Sequence, residues 1–167
     1  EYGSTLGFFN EDFPAYYFRG WNGNLIKYTM DGVFRGNIRI PGYNDSFDSP
    51  TFPMNFSFIN DTLIACDLLI ALGTENKSML IFNENGKLLK SVPNYNILQT
   101  KQRYVLETGA GNFYRFNDNL FYQNKYNDTV FQVSADGKTP YIVIDRGKFS
   151  PPFEFKWGPI EDRVQSG

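Results

Sequence analysis

Three copies of one hairpin pattern, about fifty residues apart, constrain this chain more than anything else in it. They are NLIKYTMDGVFRGNIRI (24–40), SMLIFNENGKLLKSV (78–92) and TVFQVSADGKTPYIVI (129–144). Each carries an Asp-Gly or Asn-Gly turn: Asp31-Gly32, Asn85-Gly86 and Asp136-Gly137. Six and four residues before the turn glycine stand Ile26 and Tyr28, Leu80 and Phe82, and Phe131 and Val133. Seven before it stand Leu25, Met79 and Val130. An apolar pattern held in phase with a fixed turn is one supersecondary unit used three times. Left-handed backbone is expected at each turn glycine, because Asp-Gly and Asn-Gly between apolar runs are the strongest short hairpin signal.

The hairpins are the second halves of larger units. Ahead of the second lies FSFINDTLIACDLLIAL (56–72), and ahead of the third lies NFYRFNDNLFYQ (112–123). Both contain an Asn-Asp pair between apolar runs, which reads as a turn because both residues tolerate left-handed backbone and bond their own main chain. A degenerate version, LGFFNEDFPAYYF (6–18), precedes the first. Each unit then reads as four short antiparallel strands, over 5–40, 55–92 and 112–145, with 146–167 leading to a further unit. Repeated four-stranded units of this length are the mark of β-propeller blades. Runs such as Leu25-Ile26 and Leu68-Leu69-Ile70 do not alternate, so both faces of the sheets need cover, and stacked neighbours supply it. The fold class is all-β, a partial β-propeller of about three four-stranded antiparallel blades. The alternative is a β-sandwich or irregular β-roll. The stretch 97–107 fits a short helix as well as an extra strand.

Composition removes several function classes. Histidine is absent, which excludes Ser-His-Asp and Cys-His nucleophilic sites and the commonest zinc ligand. Net charge is −2 with acids and bases mixed, so there is no basic stripe for nucleic acid. No apolar stretch approaches the roughly 20 residues of a membrane-spanning helix. The single cysteine, Cys66, sits in an apolar run and is expected to be buried and unpaired. The chain begins at Glu1 without Met, as expected of a processed protein or a piece of a longer one.

Carboxylates Asp45, Asp48, Asp61, Glu107, Asp118 and Asp128 fall in or near turns, where capping is their ordinary role. Asp67 differs: it is a charge inside an apolar strand, facing either a channel or an edge. Asn83-Glu84-Asn85-Gly86 resembles part of an oxygen-ligand loop but lacks EF-hand spacing, and reads as a hairpin turn. No catalytic set, metal site or cofactor site is read from the chain. Five Asn-x-Ser/Thr sequons reflect an Asn-rich composition. Aromatics beside donors are the better binding signal. Trp21 precedes a turn between strands two and three of unit one, and Lys125-Tyr126 holds the equivalent place in unit three. Arg103-Tyr104 lies in the long connection between units two and three. In a propeller these segments surround one mouth of the channel, where flat rings with nearby donors suit a glycan or a peptide.

The segment YNDTVFQVSADGKTPYIVIDRGKFSPP (126–152) resembles the six-bladed, NHL-like β-propeller lipoproteins of Gram-negative gut anaerobes. The shared phrase is Asn127-Asp128-Thr129-Val130-Phe131, Asp136-Gly137, Tyr141 to Ile144, then Asp145-Arg146-Gly147-Lys148, with Arg146 where that family has Phe. NENGKLLKSV (83–92) is similar to its turn as well. The resemblance implies half of a six-blade ring, with the remaining blades or a second protein chain as partner. It also implies the periplasm or outer-membrane surface, with a lipid anchor in the full-length protein, and non-catalytic binding. The alternatives are a lyase or hydrolase with acids in the channel, or a structural subunit of an outer-membrane complex.

Overall fold

The structure is a computed structural model, and it describes residues 7–10, 15–20, 24–43, 52–70, 75–95, 97, 111–124 and 127–149. Those residues form twelve strands in three four-stranded antiparallel sheets. Sheet one holds β1 (Gly7–Asn10), β2 (Ala15–Arg19), β3 (Asn24–Thr29) and β4 (Phe34–Arg39). Sheet two holds β5 (Pro53–Phe58), β6 (Leu63–Leu68), β7 (Lys77–Asn83) and β8 (Leu88–Pro93). Sheet three holds β9 (Asn112–Phe116), β10 (Asn119–Gln123), β11 (Thr129–Ser134) and β12 (Gly137–Val143), followed by a short 3-10 turn over Gly147–Phe149. In every sheet each strand pairs with its neighbour in sequence. The chain is all-β, with three open sheets packed in sequence order, the arrangement of a partial propeller.

The turn glycines have positive φ, at 82° for Gly32, 75° for Gly86 and 130° for Gly137. The first two hairpins are the same device. Gly32 N–H donates to Thr29 O at 3.0 Å and Thr29 N–H to Val33 O at 2.9 Å; Gly86 and Asn83 repeat this at 2.8 and 3.1 Å. The third hairpin is tighter, with Ser134 directly opposite Gly137. β12 therefore starts earlier than the apolar pattern suggests. All three sheets also carry one extra residue in the fourth strand. It is Arg35 in β4, Leu89 in β8 and Tyr141 in β12, with the slip moved toward the far end of the hairpin in sheet three. Asn117 and Asp118 take φ of 47° and 60°, the left-handed pair that a two-residue hairpin needs. Asn60 serves its turn differently: its Oδ1 accepts from the backbone N–H of Thr62 and Leu63.

The repeat register also sets how the sheets stack. β5 touches both β1 and β9, and β8 touches β12. One core cluster joins Tyr17, Leu25 and Ile38 of sheet one to Ile64, Leu80 and Phe82 of sheet two. The next joins Ala65, Met79 and Ile81 of sheet two to Leu120, Tyr122 and Val133 of sheet three, with Phe131 packed against it. Residues six and four before the turn glycine thus look back to the preceding sheet. The residue seven before, with the middle of the second strand, looks forward in sheets one and two.

That rule decides which of the repeated apolar positions are covered. Ile26 and Tyr28 are only half-buried, unlike Leu80, Phe82 and Val133, because their face of sheet one meets no sheet among the described residues. Leu25 and Phe131 pack inward against sheet two. The outer face of sheet one is an aromatic row, Tyr16 on Phe18, Phe18 on Tyr28 and Tyr28 on Phe34, with ring centroids 5.8–6.3 Å apart. On the far side of sheet three, Tyr114 and Tyr141 flank Phe121 at 5.5 and 4.7 Å. Cys66 is buried and free, and its surroundings push the thiol well above its ordinary pKa, mainly through burial.

Candidate functional site

A four-stranded meander sends the link between its second and third strands, and its exit to the next sheet, to the same end. Hydrogen bonds between sheets show that these ends coincide along the stack. The Arg19 guanidinium at the close of β2 donates to Pro53 O at the start of β5. Asn55 Nδ2 donates to Gly111 O at 2.6 Å, joining the starts of β5 and β9. At the opposite end, Arg115 donates to Phe58 O at 2.6 Å. The linkers at the first end are pinned at their roots. Gly20 N–H donates to Asn24 O at 2.8 Å, and Asn127 N–H to Asn124 O at 3.1 Å. Trp21, Arg103, Tyr104, Lys125 and Tyr126, the residues that the sequence singles out for binding, all lie outside the described residues.

Asp67 is the chemically unusual group at this end. It is the penultimate residue of β6 and only 3% exposed. Tyr122 of β10 donates its hydroxyl to Asp67 Oδ1 at 2.7 Å, and the Gly111 N–H donates to Oδ2 at 2.9 Å. Burial pushes the carboxyl pKa up to about 6, while those two donors and the nearby Lys138 ammonium pull it down. Lys138 lies over the Tyr122 ring at 5.4 Å and donates to Ser78 Oγ at 3.2 Å. The contact tolerates no side chain at residue 111, because a Cβ there would stand 2.3 Å from the Tyr122 ring. Asp67 therefore faces neither an open channel nor a free edge. It clasps sheet two to sheet three.

A second polar link joins sheets one and two. Glu84, in the turn between β7 and β8, accepts from the Tyr17 hydroxyl and from Lys27 Nζ, both at 2.8 Å. Burial pushes the Tyr17 phenol up to about 12. Burial also works against charge on Lys27, but its bonds to Glu84 and Tyr17 outweigh that and leave its pKa raised. The Asn83–Gly86 loop is thus a hairpin turn, with Asn83 Oδ1 accepting from the N–H of Asn85 and Lys87. Among the described residues, no three of Cys, Asp and Glu gather as a metal-ligand group.

The family described as Domain of unknown function (DUF4934) matches residues 1–163. The chain belongs to this family. No curated protein matches it. Among solved structures, it is similar to a protein of Bacteroides fragilis NCTC 9343 assigned as exported, with a TM-score of 0.57 and 8% identity. The match covers 87% of this chain and 40% of that one, and at such low identity it shows a shared fold alone. No helix among the described residues is long and apolar enough to cross a membrane.

The remaining acids of this family member divide cleanly. Asp118 forms part of the left-handed turn, and Asp31 accepts from the Thr29 hydroxyl, which holds its carboxyl below the ordinary value. Asp128 pairs with Arg146, whose Nε donates at 2.6 Å. Arg146, the departure from the resembling phrase, thus fastens the exit of β12 to the start of β11. Asp45, Asp48 and Glu107 lie outside the described residues. Sequence reasoning missed Tyr122, Gly111 and Glu84 as partners of charged groups. A polar hydroxyl in the otherwise apolar run Leu120-Phe121-Tyr122 was the available signal for the first.

Proposed function

We propose that the chain is part of a six-bladed, NHL-like propeller that binds a glycan or peptide without catalysis. The ligand would sit at the end of the stack where the linkers emerge. The observation that carries this reading is the coincidence of those ends, fixed by the bonds from Arg19 to Pro53 and from Asn55 to Gly111. Segments carrying Trp21, Arg103-Tyr104 and Lys125-Tyr126 all leave from that end. Flat rings and cationic donors brought to one mouth make a surface for sugar rings or peptide backbone. A hydrolytic or lyase reading would place its acid at Asp67, but both Asp67 oxygens are occupied by donors of the protein itself. An extracytoplasmic location is supported by the fold shared with a protein assigned as exported; the periplasm or outer-membrane surface, with a lipid anchor in the full-length protein, is the finer part of the proposal.

Arrays of glycans and of peptides probed with the chain test the binding reading. The expected result is a restricted set of ligands whose binding falls at least tenfold in Trp21→Ala, Tyr104→Ala or Tyr126→Ala. Binding unchanged in all three substitutions would remove the proposed surface.

A further inference from the structure

We propose that Asp67, Tyr122 and Asn124 form a reversible hydrogen-bond chain, which carries the protonation of a buried carboxyl to the link between β10 and β11. As the structure stands, the chain runs inward. Asn124 Nδ2 donates to the Tyr122 hydroxyl at 3.4 Å, and that hydroxyl donates to Asp67 Oδ1 at 2.7 Å. The other carboxyl oxygen, Oδ2, accepts from the Gly111 N–H at 2.9 Å. A backbone N–H can only donate, whereas a phenol and a side-chain amide can each do both. Oδ2 therefore stays an acceptor in either charge state. A proton taken up from water goes to Oδ1, where the partner is able to reverse.

Reversal breaks no covalent bond of the protein. Asp67 Oδ1 becomes the donor to the Tyr122 oxygen, the phenol hydrogen rotates about its C–O bond, and the Asn124 amide turns to present Oδ1 as acceptor. The Tyr122 ring itself is held. It packs on Phe113 with centroids 5.1 Å apart, lies under Lys138 Nζ at 5.4 Å, and faces Gly111, where a Cβ would stand 2.3 Å from it. The outer link is long for a phenol donor, since O–H···O bonds favour about 2.7–2.8 Å. The reversed chain thus draws Asn124 toward the ring. Asn124 directly follows β10, and its backbone oxygen accepts the Asn127 N–H at 3.1 Å, which closes the link. A buried proton is thereby read out at the end of the stack where the linkers emerge. On the binding reading of that end, acid turns a donor into an acceptor at its root; the reversal itself does not depend on that reading.

Among the described residues, the titratable and charged groups around Asp67 are Tyr122 of β10, Lys138 of β12 and Cys66 beside it on β6, with Arg19 of β2 acting on Cys66. Burial holds Tyr122 and Cys66 well above their ordinary values, so neither titrates in acid. Asp67, pushed up to about 6 by burial, is the group whose charge changes there.

NMR of the carbon- and nitrogen-labelled full-length protein, titrated from pH 4 to pH 8 without ligand, tests this. The Asn124 side-chain amide is expected to shift with the same midpoint, near pH 6, as the Asp67 carboxyl carbon. Tyr122→Phe cuts the chain. Asp67 then still titrates, at a higher pH for want of its donor, while the Asn124 amide no longer responds. Asp67→Asn silences Asn124 in the same way. An Asn124 amide that stays flat in the wild type while Asp67 titrates would overturn the proposal. So would an Asn124 response that persists in Tyr122→Phe, since the field of a carboxylate needs no hydroxyl to reach it. Should Tyr122→Phe lose the β signal in circular dichroism, Asn124→Ala carries the same test. The Asp67 midpoint is then expected to fall by roughly half a pH unit or more, because the reversed chain has no end acceptor. An unmoved midpoint there overturns the proposal.

Discussion

The contact between sheets one and two and the contact between sheets two and three are built on one apolar register but sealed by opposite electrostatics. In the first, Lys27 and Glu84 form an ion pair whose side chains remain 28% and 31% exposed. In the second, the Asp67 carboxyl is buried with both oxygens bonded, one by a tyrosine and one by a backbone amide. Water screens the first link, so removing it costs little. The second has no water to fall back on, so loss of a donor strands a buried acceptor. A repeat can therefore conserve the shape of its interfaces while placing the penalty for error in only one of them.

The apolar part of the comparison carries the largest effects. Phe82→Ala in the first contact is expected to cost about 3–5 kcal/mol, and Leu120→Ala in the second about 2–5 kcal/mol. Urea denaturation measures both; a cost under ~1 kcal/mol at either would break the equivalence of the two cores. The next effect is electrostatic and depends on pH. Asp67 titrates near 6 in the fold against 3.8 as its ordinary value, so the folded chain holds that proton more tightly. The resulting stabilisation is complete below about pH 4 and is lost as pH rises through 6. At about 1.4 kcal/mol per pKa unit, the difference reaches on the order of 3 kcal/mol. Asp67→Asn should remove that fall, so the stability gap between wild type and variant should narrow in the wild type's disfavour from pH 4 to pH 7. A constant gap across this range would show that the carboxyl is solvated.

Smaller effects sharpen the contrast. Tyr122→Phe leaves Asp67 Oδ1 without its donor and is expected to cost about 1–3 kcal/mol at neutral pH, less in acid where the carboxyl is protonated. Glu84→Gln should cost no more than ~1 kcal/mol and lose most of that in high salt. If Glu84→Gln proved the costlier of the two, the assignment of buried and screened links would be reversed. Gly86→Ala separates turn strain from packing: its Cβ would stand 2.7 Å from Arg39 O, whereas one at Gly32 meets nothing within 4 Å. Both positions have positive φ, so Gly32→Ala reports the backbone cost alone and Gly86→Ala should exceed it.

Much of the fold was legible because turn chemistry and apolar spacing are local. Gly32, Gly86 and Gly137 need left-handed or extended-positive backbone whatever surrounds them, and the Asn117-Asp118 pair declares its turn in the same way. Burial was less legible. Ile26 and Leu80 occupy the same register, yet only Leu80 is covered, because cover depends on a neighbouring sheet and not on the residue itself. Asp67 stood out as a charge in an apolar strand, but its partners are 44 and 55 residues away, beyond any local pattern. Glu84 drew attention for the wrong chemistry, since a turn rich in oxygen ligands also suits a carboxylate that reaches back to another sheet.

The Glu84 turn has a consequence for how the chain assembles. Three sheets that read the same register could dock in the wrong sequence while the chain is collapsing, a hazard common to repeat proteins. The residue two before the turn glycine is Met30 in sheet one, Glu84 in sheet two and Ala135 in sheet three. If sheet one skipped its neighbour and settled on sheet three, Lys27 would meet an alanine, and Tyr17 would lose its acceptor. Glu84 thus works as an address label. It adds little to the finished fold, yet it separates the correct neighbour from a near-identical decoy at the moment of docking.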